Sequence, residues 1–205
     1  MILNLLDFAA AYALRMAAHR FFPKHTSELL EAISRLESQH VSVPNDSDLD
    51  VLIRALVVAE DRRFFSHFGV DSKGLARVVF LFLTRMRIQG ASTITQQLVR
   101  VLSNDYRYSV QRKFKEMCLA CVVDRTISKR TQAALYVRVA YFGWRMNGVT
   151  QAWHRLHLAT PLSSSSAASL IARLRYPEPR ETTPIYLEKL NRRSSYIATL
   201  MSRQD

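Results

Sequence analysis

Glycine and proline are scarce in this chain, five and six of 205 residues, and the scarcity argues against a turn-rich β-sandwich and for a mostly helical domain. Cysteine is scarcer still. Cys118 and Cys121 sit three apart on one predicted helix with no second ligand pair, so they read as small buried residues rather than a zinc or redox site. The start of the chain also lacks a long apolar run. Asp7 and Arg15 bracket an uncharged stretch of only Phe8 to Leu14, short of the roughly 20 apolar residues of a spanning helix, and no signal peptide is evident. Acidic residues are the last shortage: 17 against 29 lysines and arginines leave a net charge of +12. Such an excess calls for a polyanionic partner, whether nucleic acid, acidic lipid or a phosphorylated substrate. Neither a helix-turn-helix signature nor aromatic–basic interleaving accompanies it, so nucleic acid is not expected.

What the chain does have is apolar material, 48% of its residues, in helical spacing. Residues 1–41 read as an N-terminal helical segment, and residues 42–205 as the main domain, opening on the turn-rich Ser42 to Asp48. In the first, Leu5, Phe8, Tyr12 and Met16 share a helical face, with Arg15, His19 and Arg20 adding positive charge. Two readings stay open for it: a helix lying in a membrane interface, or one docked on the domain. Further helices are predicted over 27–36, 49–64, 73–88, 94–102, 110–125, 129–139, 148–157, 163–174 and 185–202, with a loop at 67–72. Val78 to Leu83 is an unbroken apolar run flanked by Arg77, Arg85 and Arg87. It fits either a core helix or a lobe dipping into lipid with arginines at the headgroups.

Three stretches concentrate groups capable of chemistry. Glu60 to Gly69 (EDRRFFSHFG) packs two acids, two arginines, three phenylalanines and a histidine into ten residues; the plain alternative is salt-bridged packing at a helix end. Gln89 to Arg100 (QGASTITQQLVR) places small hydroxyls before a helix start, where caps and backbone N–H groups suit phosphate oxygens. Arg112-Lys113-x-x-Glu116 sets an acid and a base at i,i+4, which alone is an ion pair worth roughly 0.2–0.5 kcal/mol. From Arg85 to Arg130, ten basic residues face three acids, a local net of +7.

In this order and spacing the three stretches resemble motifs of the glycosyltransferase domain of bifunctional penicillin-binding proteins and of the stand-alone peptidoglycan glycosyltransferases, glycosyltransferase family 51. The family's acid pair followed by Phe, His and Gly matches Glu60 through Asp71. Its Gly-small-Ser-Thr-Ile-Thr-Gln-Gln motif matches Gly90 to Gln97, with Arg100 downstream, and its Arg-Lys-x-x-Glu matches Arg112, Lys113 and Glu116. A fourth motif is half preserved at Tyr136 to Gly143, followed by Gly148 and Val149, and a fifth is echoed at Leu162 to Pro177. The resemblance covers roughly Ser42 to Pro179. Departures lie in the fourth motif: Arg138 where the family usually has Asn, Ala134 at a commonly acidic position, and Arg145 in place of a second glycine.

The resemblance implies a mainly α, lysozyme-like domain with a small membrane-facing lobe. It implies polymerisation of lipid II into β-1,4-linked glycan, with lipid II, the growing strand and a membrane surface as partners, at the periplasmic face of the bacterial inner membrane. Glu60 is then the general base for the acceptor's sugar hydroxyl, with the phenylalanines keeping water away. Arg100, Arg112 and Lys113 are the cations for the pyrophosphate leaving group. Asp61, His67, Ser92, Thr93, Gln96 and Gln97 contact substrate. Glu116 is the second carboxylate, orienting a basic residue or holding Mg2+ or Mn2+. The alternative is a catalytically weakened relative that binds the lipid-linked precursor without efficient polymerisation. A lysozyme-type hydrolase would share the fold and a Glu but has no need of the Arg-Lys-x-x-Glu group. Neither Ser-x-x-Lys nor Lys-Thr-Gly occurs in these residues, so they cannot support penicillin-sensitive acylation.

Overall fold

Helix starts in this protein are written in short polar side chains. In the computed structural model, which describes residues 2–39, 45–74 and 92–203, Asn45, Thr93, Ser109, Ser163 and Thr183 each accept a bond from a backbone N–H three residues on. Each cap satisfies a donor that the first helical turn cannot pair internally. The elements are helices α1 (Ile2–Phe21), α2 (Pro23–Ser38), α3 (Asp46–Glu60), α4 (Ile94–Leu102), α5 (Val110–Thr126) and α6 (Lys129–Val139). A short hairpin follows, β1 (Tyr141–Gly143) and β2 (Met146–Asn147), and then α7 (Val149–Arg155), α8 (Ser164–Arg175) and α9 (Pro184–Met201). The domain is mainly α and lysozyme-like, as the motifs imply. The side chain of Leu5, the Val78 to Leu83 run and Gly90 lie outside the described residues.

Two expectations are corrected. Helix α3 stops at Glu60 instead of running to Phe64, because Asp61 leaves helical geometry (φ −155°, ψ 76°). Phe64 to Ser66 form a separate 3-10 turn, in which Phe64 is fully buried. Its apolar side chain continues the helical pattern of α3, so periodicity cannot separate the two elements. The hairpin was not expected, since strands of three and two residues are too short to show alternation.

The chain forms two compact units. The first comprises residues 1–38 and 63–132, the second 39–62 and 133–205. In the first unit α1, α2 and α4 pack on α5, burying Ile33, Ile94, Leu98 and Leu119 at roughly 1.5–3 kcal/mol per large side chain. α1 is therefore docked, yet its predicted face points outward: Phe8, Tyr12 and Met16 are 55%, 50% and 50% exposed. Cys118 and Cys121 are buried on α5 and not disulfide-bonded. Burial pushes their thiols up to about 11 and about 12, which makes them inert.

In the second unit α3 and α9 pack on α8, with β1 also against α8 and α7 against β2. Leu52, Leu56, Phe142, Leu170, Ile171 and Ile197 fill its core. The carboxylate of buried Asp48 accepts the Leu162 N–H at 2.6 Å. Among the described residues no helix is long and apolar enough to cross a membrane.

Candidate active site

Glu116 sits at the centre of the first unit's charged cluster, its side chain only 3% exposed. Ser109 caps α5 and so sets the helical register that puts Arg112, Lys113 and Glu116 on neighbouring positions. Arg100, one turn from the end of α4, meets the same carboxylate in a two-pronged bond, Nε to Oε2 at 2.9 Å and Nη2 to Oε1 at 3.1 Å. Arg112 Nη1 donates to Oε2 at 2.5 Å, and Lys113 Nζ to Oε1 at 2.6 Å. Lys113 also reaches Ser92 Oγ at 2.9 Å and Gln96 Oε1 at 2.7 Å, and Arg100 Nη2 reaches Ser92 Oγ at 3.3 Å. The sequence motifs two and three are thus one hydrogen-bonded object.

Its electrostatics are unbalanced by design of the residues present. Three cations around one carboxylate leave a net charge of +2. Burial pushes the Glu116 carboxyl up, but the bonds and charges of Arg100 and Lys113 outweigh it and hold the group below its ordinary value. Burial pushes the Lys113 amine down, and the nearby charges of Arg100 and Arg112 add to that against the pull of Glu116. The cations outnumber what one carboxylate can satisfy, and Lys113 and Arg100 remain 34% and 29% exposed. An incoming dianion would relieve that excess.

The remaining motif residues of this unit build the frame. Thr93 Oγ1 accepts the Gln96 N–H at 3.2 Å and donates to the Gly69 carbonyl at 2.7 Å, tying the first motif's loop to the start of α4. Gly69 has φ +84°, and a Cβ there would lie 2.5 Å from the Ala120 carbonyl oxygen, so only glycine lets the loop lie against α5. Thr93, Gln96 and His67 are buried, and Gln97 is half-buried on α4. The His67 ring packs 6.2 Å from Phe64, with Lys129 4.6 Å over the Phe64 ring. The three phenylalanines therefore do not act alike: Phe64 is core, whereas Phe65 and Phe68 are exposed.

Glu60 and Asp61 belong to the second unit. Asp61 is buried and its N–H bonds the Val57 carbonyl at 3.0 Å, closing α3. Glu60 Oε1 accepts from Arg193 Nη2 at 3.2 Å, and Arg193 also binds the Ala59 carbonyl at 2.8 Å. Sequence reasoning missed Arg193. A signal was there, since its spacing from Leu190 and Ile197 places it on the buried stripe of α9.

Two of the three fourth-motif departures, Arg138 and Arg145, are accommodated locally. Arg138 donates to the backbone and side-chain carbonyls of Gln39, both at 2.8 Å. Arg145 adopts φ +58° at the hairpin tip, the conformation a glycine would take without strain, and its guanidinium stacks 4.6 Å from Trp144.

Glu116 does not fit the metal role expected for it. Its carboxylate accepts four hydrogen bonds from cations, which fills its acceptor sites, and the surrounding positive charge opposes a divalent cation. Among the described residues no group of three or more His, Cys, Asp or Glu could hold a metal ion.

Residues 27–202 match the family described as Transglycosylase. The chain is similar to Penicillin-binding protein 1A of Rickettsia felis, 33% identical over 142 residues, which are 65% of this chain and 18% of that protein. It is 42% identical over 101 residues to Penicillin-binding protein 1A of Vibrio cholerae, 48% of this chain and 12% of that one. It is 32% identical over 118 residues to the Monofunctional glycosyltransferase of Staphylococcus aureus, 58% of this chain and 44% of that one. The matches span less than half the length of each of these relatives.

Proposed function

We propose that this chain, which belongs to the transglycosylase family, is a peptidoglycan glycosyltransferase that polymerises lipid II into β-1,4-linked glycan. The observation that carries the reading is the cluster on Glu116, three cations at 2.5–3.1 Å from one buried carboxylate. A pyrophosphate leaving group gains negative charge as its bond to the anomeric carbon breaks, and excess fixed cations stabilise that charge more than they stabilise the intact donor. Arg100, Arg112 and Lys113 take this role, and Glu116 holds them in register. Glu60 takes the proton from the acceptor's sugar hydroxyl as that oxygen attacks the anomeric carbon. One displacement inverts the α linkage to β. Asp61 and His67 brace the segment after Glu60, while Ser92, Thr93, Gln96 and Gln97 supply hydrogen bonds to the donor or to the groups that hold it.

The substrate is lipid-linked, so the reaction runs at a membrane surface, proposed as the periplasmic face of the inner membrane. The outward Phe8, Tyr12 and Met16 of α1, with Arg15 and Arg20 beside them, support that placement. The test is incubation of the purified chain with labelled lipid II. Glycan ladders on a gel, with stoichiometric release of undecaprenyl pyrophosphate, are expected. Binding without product would instead identify the precursor-binding relative.

A further inference from the structure

Glu60 closes α3 at the end of the helix least hospitable to a carboxylate. The last carbonyls of a helix lack N–H partners within it and carry the negative end of its dipole. α3 has no basic residue in its last turn to offset this. Arg193, from the middle of α9, supplies the missing charge and the missing donor together. Its Nη2 donates to the Ala59 carbonyl at 2.8 Å and to Glu60 Oε1 at 3.2 Å. The arginine is itself held in place. It lies between buried Leu190 and Ile197 on α9, and its guanidinium stacks 5.7 Å from the ring of Tyr196. The Tyr196 hydroxyl accepts in turn from Arg62 Nη2 at 2.7 Å. One turn of α9 therefore grips the chain on both sides of the Glu60–Asp61 pair.

We propose that Arg193 is the positioning residue of Glu60, fixing the orientation of the carboxylate that receives the acceptor's proton. The inference rests on the reading of Glu60 as the base. A misplacement of a reacting group by about 1 Å costs roughly 100-fold in rate, so the anchor of that carboxylate has kinetic weight although it touches no reacting atom. The cap on Ala59 adds a second function: the guanidinium that aims Glu60 also fixes the backbone from which it projects.

The experiment is steady-state lipid II polymerisation by the full chain carrying R193A, R193K, E60Q or R193A with E60Q. R193A should lower kcat by roughly 30- to 100-fold with KM changed by less than about two-fold, as expected when ground-state binding is untouched. R193K, which keeps the charge but not the planar fork, should recover part of the loss, and added guanidinium ion should partly restore R193A. The double variant should be no slower than E60Q alone, because the two residues act as one unit. Wild-type kcat in R193A alongside an inactive E60Q would sink the positioning role and leave the base assignment standing. An active E60Q removes the base, and the inference with it. A loss in folded R193A that neither lysine nor guanidinium relieves marks a mere helix cap and overturns the proposal. Should R193A fail to fold, R193K decides: a kcat loss at unchanged KM supports the proposal, and wild-type kcat overturns it.

Discussion

Glu116 and Glu60 are the two carboxylates that the motifs single out, and their surroundings differ sharply. Glu116 is 3% exposed and accepts four bonds from three cations. Glu60 keeps 20% of its side chain exposed at a helix end, beside Arg193. A carboxylate whose acceptor sites are saturated organises charge but has little capacity to take a proton. One that is less enclosed can approach an incoming hydroxyl. The same residue type thus serves as the keystone of a cation cluster in one unit and, in the proposed mechanism, as a base in the other, a difference set by the neighbours.

The comparison breaks most readily on stability. Glu116→Ala leaves three partly buried cations facing one another, and should destabilise the protein by about 3–5 kcal/mol, read as a shift of the denaturant midpoint. Glu116→Gln should cost less, with a loss of activity that does not depend on Mg2+ concentration. The pH dependence follows from the lowered folded value of Glu116. Its contribution is full above the ordinary value of 4.5 and is lost as pH falls through the lower folded value, so wild type and Glu116→Gln should converge in stability on acidification. Equal midpoints at neutral pH would show that the cluster does not hold the unit together.

Glu60→Gln reverses the pattern. Polymerisation should fall by roughly 100-fold or more, whereas the denaturant midpoint and lipid II binding stay near wild type. Next in size is Arg112→Ala, which removes one charge-assisted donor and should weaken binding of inorganic pyrophosphate about tenfold. Unchanged affinity would make the +2 cluster a purely structural feature. In the same unit, Phe8→Asp with Met16→Asp should reduce co-sedimentation with anionic liposomes about tenfold, since each half-exposed side chain contributes only part of roughly 1.5–3 kcal/mol. The helical circular dichroism must be retained for that result to count. The smallest effect belongs to Arg145→Gly. Relief of the left-handed backbone is offset by the lost stacking on Trp144 and by glycine's greater unfolded-state freedom, so stability should move by less than about 1 kcal/mol, with activity unchanged. A large gain in turnover would show that this departure does impair the enzyme.

Much of the site was legible residue by residue. Caps at Thr93 and Ser109, the i,i+4 pair Arg112–Glu116 and the burial of the two cysteines follow from local chemistry. What was not legible is how two motifs share a partner. Arg100 is sixteen residues from Glu116, and no periodicity reports a bond between different helices. Ser92 and Gln96 turn out to hold Lys113. Three phenylalanines in one motif look equivalent in sequence, yet only Phe64 is buried, because α3 ends at Glu60 and a 3-10 turn redirects the chain.

The sequence by itself determined the helical class, the starts of α4, α5 and α6, the cationic surplus and the motif order that marks the family, because each is a property of neighbours along the chain: spacing, capping and summed charge. Tertiary structure alone decided that Glu116 is saturated with bonds from three cations, that Arg193 of α9 reaches back to the end of α3, and that α1 docks on α5 with its aromatic face outward. Those outcomes depend on which side chains meet across helices, where a hydrogen bond forms only within about 3 Å, a distance that residues far apart in sequence reach only once the chain has folded.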